Sequence, residues 1–168
     1  KRFNVTGLCV PRKHYMVNLA DRLAQVKEMV DEGAYFTIHR ARQYGKTTLL
    51  YALEEYLKTD YLVVSIDFQK FGTAKYESEN IFALSFADCF LMELERREES
   101  DTSVLSQETE VLRNICQSRD SSYSFYELFA NLNRICRRSG KPVVLMIDEV
   151  DSASNNQVFL DFLAQLRN

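Results

Sequence analysis

Apolar positions recur along this chain at two different periods, and the places where the period changes divide it into helices and strands. Over residues 18–32, Leu19, Leu23, Val26 and Val30 recur every three or four residues, which predicts a helix opened by Asn18 as N-cap and closed by Gly33. Tyr35, Phe36, Thr37 and Ile38, all β-formers within the apolar run 34–39, then predict a strand. Residues 49–58 return to helical spacing, in a helix that begins near Lys46. Residues 61–68, YLVVSIDF, read as a second strand with Asp67 near its C-terminal end.

Residues 80–97 predict a long helix carrying Ile81, Leu84, Phe86, Phe90, Leu91 and Leu94, which runs out into the solvated charges of ELERREES. The polar stretch 99–106 reads as a loop within an insert. Two further helices are expected over 107–118 and 124–139, before Gly140 and Pro142 break the pattern. Residues 143–149, VVLMIDE, form an unbroken apolar run closed by two acids. That is the pattern of a strand buried on both faces, with its carboxylates at the exposed end.

The chemistry concentrates at two of these junctions. Residues 40–48, RARQYGKTT, lie between the first predicted strand and its helix, where the pattern GxxxxGK[ST] forms a phosphate cradle. Such a loop works because successive backbone N–H groups turn inward around the anion, here across Gln43, Tyr44, Gly45, Lys46, Thr47 and Thr48. The Lys46 ammonium then reaches the outer phosphates, and the Thr47 hydroxyl binds Mg²⁺. Gly45, Lys46 and Thr47 fill the last three places of the pattern, whereas Arg40 occupies the place of its first glycine. Alone, GKT is also a plain strand-to-helix turn with a surface lysine. The β-formers before it and the amphipathic helix after it favour the phosphate reading.

At the second junction, Asp148 is the Walker B acid expected to hold Mg²⁺ beside Thr47. Glu149 directly follows it and is placed to polarise the water that attacks a γ-phosphate. Asp67 is a weaker candidate for the metal or water shell, and a capping or turn role is at least as well supported by its position. Arg42 flanks the cradle and is the better of the two flanking arginines for charge on the triphosphate.

Taken in order, a strand, an RxRxxGKT loop, a helix, a long insert and hhhhDE resemble the AAA-like ATPases of bacteria and archaea whose phosphate loop has lost its first glycine. The resemblance runs from about Phe3 to the end, and FNVTGLCVPRKHYMV resembles the stretch those proteins place before the nucleotide-binding strand. It implies an α/β fold of the P-loop NTPase type, a three-layer sandwich with a mostly parallel sheet. It also implies ATP and Mg²⁺ as ligands, with Lys46 on the β- and γ-phosphates, Thr47 and Asp148 on the metal, and Glu149 on the water. His14 and Tyr15, with Met16, are by the same likeness placed over the adenine, although core packing suits them nearly as well.

The resemblance further implies a strand with a polar sensor residue between the phosphate-loop strand and the acid-tipped one. That strand is expected after Asn168, so the chain reads as an N-terminal excerpt of one domain, poorly stable in isolation. Within the domain the order is segment and helix (1–33), strand, loop and helix (34–58), second strand and helical insert (61–139), and acid-tipped strand and helix (142–168).

Composition narrows the setting. With 46% hydrophobic residues in 168, the chain has enough apolar material for one sizeable core, and no apolar run reaches the roughly 18 residues of a membrane span. A cytoplasmic location is expected. Cys9, Cys89, Cys116 and Cys136 show no CxxC spacing, so they read as reduced core thiols rather than a zinc or redox site. A net charge of −3 gives no overall attraction to nucleic acid, which is expected only through domains outside this chain. Arg134, Arg137, Arg138 and Lys141 form the one basic cluster, read as an offset to a helix dipole in preference to a nucleic-acid contact.

The leading functional reading is ATP hydrolysis that drives a switch or motor in a larger protein, with self-association or a protein partner. The alternative is a nucleotide-sensing module with little turnover, against which Glu149 argues. A GTPase would carry an NKxD-type specifier, and none is visible.

Overall fold

Strands β1 (Leu62–Asp67) and β2 (Val143–Asp148) pair in parallel, from Leu62 opposite Val143 to Asp67 opposite Asp148. Parallel pairing requires a crossover, and the long helical segment between the two strands supplies it. The structure, a computed structural model, describes residues 18–38, 45–97, 103–150, 153 and 155–167. Among these it is a mixed α/β arrangement of that two-stranded sheet and six α-helices. The chain packs as two compact units that divide between Asp60 and Tyr61.

In the first unit, helix α1 (Ala20–Asp31) packs on helix α2 (Lys46–Leu57). The predicted cap of α1 moves by one residue. Leu19 holds the N-cap position with no side-chain bond, while Asn18 just outside accepts the Ala20 N–H at 3.0 Å. Gly33 ends α1 as expected. At φ 69° it turns the chain so that its own N–H donates to the Val30 carbonyl and the Ala34 N–H donates to that of Met29. Helix α2 buries Leu49, Leu53 and Leu57, one stripe at four-residue spacing. Lys27 of α1 bridges Asp31 and Asp60, at 2.8 and 3.5 Å.

The predicted strand at 34–38 is corrected: these residues belong to no strand. Phe36 and Ile38 are half-buried while Tyr35 and Thr37 are exposed, the period-two alternation of an extended segment. A strand is defined by its ladder as well as by its pattern, and both members of the described ladder belong to the second unit.

The second unit is built around an aromatic core. Helix α3 (Glu79–Glu95) crosses it with Phe82, Ala83, Phe86, Ala87 and Phe90 all buried. The Phe82 ring meets those of Phe68, Phe125 and Phe162 at centroid distances of 6.0, 5.8 and 5.2 Å. Phe125 opens helix α5 (Phe125–Arg138) and Phe162 sits on helix α6 (Gln157–Leu166), so three helices and the exit of β1 share one cluster. Helix α4 (Ser106–Ser118) adds Leu112 to it.

Polar bonds fix these helices relative to one another. Asn80 on α3 donates to the carbonyls of Asp120 and Tyr123, both at 2.8 Å, and Glu79 accepts the Phe125 N–H at 2.7 Å. Ser124 caps α5 in a reciprocal box with Glu127, whose carboxylate takes the Ser124 N–H at 2.9 Å.

Burial of the two strands is unequal, which corrects a second expectation. β1 is buried over most of its length, but in β2 only Met146 is buried and the rest are half-buried. β2 bonds β1 along one edge, and no other described strand pairs with it. An apolar run therefore marks a strand without guaranteeing that both of its faces are covered.

Candidate functional site

The first group of candidate residues gathers at the start of α2. Gly45 is the N-cap, with φ 75° and ψ 28°, a left-handed conformation that costs glycine nothing and other residues about 1–2 kcal/mol. Its carbonyl accepts the Leu49 N–H at 2.9 Å, the first bond of the helix. Lys46, Thr47 and Thr48 thus lie ahead of the first intrahelical donor, in the turn where amides and dipole favour an anion. The cap has no side-chain bond and the first turn has no acid, so no carboxylate of that turn competes for the position. Thr47 is exposed, Lys46 half-buried and Thr48 buried. Arg40, Arg42, Gln43 and Tyr44, like His14 and Tyr15, lie outside the described residues.

The second group stands at the C-terminal end of the sheet, the side on which parallel α/β sheets hold their ligands. Asp148 ends β2 half-buried, and its Oδ1 accepts the N–H of Glu149 at 2.7 Å. Glu149 has φ 56°. Apart from it, only Arg119, at the C-terminal end of α4, is a described non-glycine residue with positive φ. An acid held left-handed in the residue after a strand is a strained arrangement, and such strain concentrates at functional sites. Sequence reasoning found Glu149 from its position but not its backbone, because no propensity favours glutamate there.

Asp67 takes the quieter of its two roles. It stands beside Asp148 across the ladder, yet its Oδ1 accepts the Gln69 N–H at 2.9 Å and caps the short 3₁₀ turn Phe68–Lys70. Gly45, Lys46, Thr47 and Thr48 are thus together in the first unit, and Asp148 and Glu149 together in the second.

The model of the family described as Predicted AAA-ATPase, AAA-ATPase-like, matches residues 14–166. The chain belongs to this AAA-ATPase-like family. No curated protein and no solved structure matches it. Among the described residues, no group of three or more His, Cys, Asp or Glu is arranged to hold a metal ion. Among the described residues, no helix is long and apolar enough to cross a membrane.

Proposed function

We propose that this chain binds ATP with Mg²⁺ and hydrolyses the γ-phosphate bond, in a cytoplasmic P-loop NTPase domain of the three-layer, mostly parallel type. Hydrolysis would drive a conformational switch in a larger protein, through self-association or a protein partner. The observation that carries the reading is the start of α2. A left-handed glycine is followed directly by a lysine and two threonines at a helix N-terminus without a side-chain cap, in a chain of this family.

Each residue has a stated task. Lys46 holds the β- and γ-phosphates and spreads the charge that develops on transfer. Backbone amides from Gln43 to Thr48 cradle the phosphates, Arg42 adds positive charge, and His14 and Tyr15 cover the adenine. Thr47 and Asp148 would supply the protein oxygens that hold the metal, and a bound Mg²⁺ would supply charge neutralisation at the phosphates. Glu149 orients the attacking water and accepts its proton as the bond to the ADP oxygen breaks. Its left-handed backbone supports this role, since the turn re-aims the chain immediately after the metal-binding acid.

Two variants test the proposal. Lys46→Ala should weaken ATP binding at least about tenfold by calorimetry, and Glu149→Gln should bind ATP while releasing phosphate at least about a hundredfold more slowly. An unchanged rate in Glu149→Gln removes the catalytic assignment. Binding without turnover in the unmodified protein would instead establish a nucleotide-sensing module.

A further inference from the structure

Helices α4 and α5 enclose a groove of about 270 Å³ in the second unit, lined in part by Gln107, Glu108, Asn131, Arg134, Arg137 and Arg138. Three guanidinium groups against one carboxylate leave it a net charge of +2 (three minus one). Only one of the three is committed. Arg138 Nε lies 3.2 Å from Glu108 Oε1, and the same guanidinium donates to Gln107 Oε1 at 3.2 Å. Arg134 and Arg137 form no ion pair with a described residue.

Glu108 supplies the second observation. Its side chain is only 9% exposed, and Oε2 is buried with no hydrogen-bond partner among the described residues. Buried carboxylate oxygens are rarely left without a donor. The dipole of α5 accounts for Arg137 and Arg138 in its last turn, but neither for Arg134 one turn earlier nor for the orphaned oxygen. The groove wall is also fixed in advance, because the buried Asn131 amide donates to the Tyr123 hydroxyl at 3.0 Å.

We propose that this groove binds a phosphate monoester of a hydroxyl-bearing small molecule, a sugar phosphate or mononucleotide. Arg134 and Arg137, three positions apart on α5 and so on one face, take the phosphate. A ligand hydroxyl donates to the Glu108 carboxylate, whose buried Oε2 turns toward the groove to accept it. A monoester carries about −1.5 to −2 at neutral pH, which matches the charge of the groove. The groove is also larger than inorganic phosphate needs. All of these residues fall within α4 and α5, so the site stands independently of the ATPase reading.

Calorimetry with ribose 5-phosphate, AMP, inorganic phosphate and ribose on the whole chain tests this, in a Lys46→Ala background that keeps the α2 loop from contributing. Ribose 5-phosphate should bind with Kd below about 1 mM, and phosphate and ribose each about tenfold or more weakly. Arg134→Ala with Arg137→Ala, both exposed positions, should weaken binding at least about tenfold while leaving the circular dichroism spectrum unchanged. Tighter binding of AMP assigns a mononucleotide, and equal binding a sugar phosphate. The proposal is overturned by no binding at millimolar ligand, by binding that survives the double substitution, or by phosphate binding as tightly as its ribose ester.

Discussion

Asp67 and Asp148 face each other in register at the C-terminal ends of adjacent parallel strands, yet their carboxylates do different work. Asp67 caps the turn that follows it through the Gln69 N–H, whereas Asp148 accepts the N–H of the residue assigned to the attacking water. Asn caps about as well as Asp, so Asp67→Asn should keep both stability and ATP turnover, and Asp67→Ala should lose about 1 kcal/mol in urea unfolding. Asp148→Asn should abolish Mg²⁺-dependent hydrolysis. Loss of turnover in Asp67→Asn would move that residue into the metal shell.

Glu149 offers a separation of stability from activity. Its φ of 56° suits glycine, so Glu149→Gly should relieve backbone strain and raise unfolding stability by about 1 kcal/mol while hydrolysis disappears. A chemical denaturation curve beside a phosphate-release assay reads both effects. A destabilised Glu149→Gly protein would show that side-chain contacts at this position outweigh the backbone term.

The sequence made the helices plain because their ends carry chemistry. Gly33 stops α1 and Gly45 precedes α2, each identifiable from residue type and spacing, whereas the capping box of Ser124 and Glu127 that opens α5 came from the structure. What escaped depends on partners distant in the chain. The 34–38 segment has strand composition but lies outside the ladder, and the exposure of β2 follows from pairing rather than from its own residues. The Glu108–Arg138 pair joins two helices that no periodicity could bring together. At the candidate site, GKT and DE were legible as motifs, whereas the strained backbone of Glu149 and the capping role of Asp67 needed coordinates.

Alkaline pH should expose the cost of a half-buried thiol and a buried phenol. Burial raises the Cys116 thiol from 9.0 to about 11, helped by the charges of Asp88 and Cys89. Burial likewise raises the Tyr123 hydroxyl from 10.0 to about 12, against the opposing hydrogen bond from Asn131. In both cases the neutral form is favoured in the folded state. Their contribution is therefore complete below the ordinary values of 9.0 and 10.0 and is lost as pH climbs through about 11 and 12. Unfolding free energy measured against pH should begin to fall near pH 9, and Cys116→Ala should make that fall shallower, while the Cys136 thiol, also raised from 9.0 by burial, keeps the onset in place.

The central claim is that Lys46 and Asp148 act on one magnesium triphosphate, and a double-mutant cycle on ATP affinity tests it most directly. Lys46→Ala, Asp148→Asn and the pair should be measured with and without Mg²⁺. The account predicts that the two losses couple by at least about 1 kcal/mol with Mg²⁺ present, and that Asp148→Asn has no cost once the metal is removed. Losses that add to within about 0.5 kcal/mol in Mg²⁺ would contradict it, because the two residues would then serve separate sites.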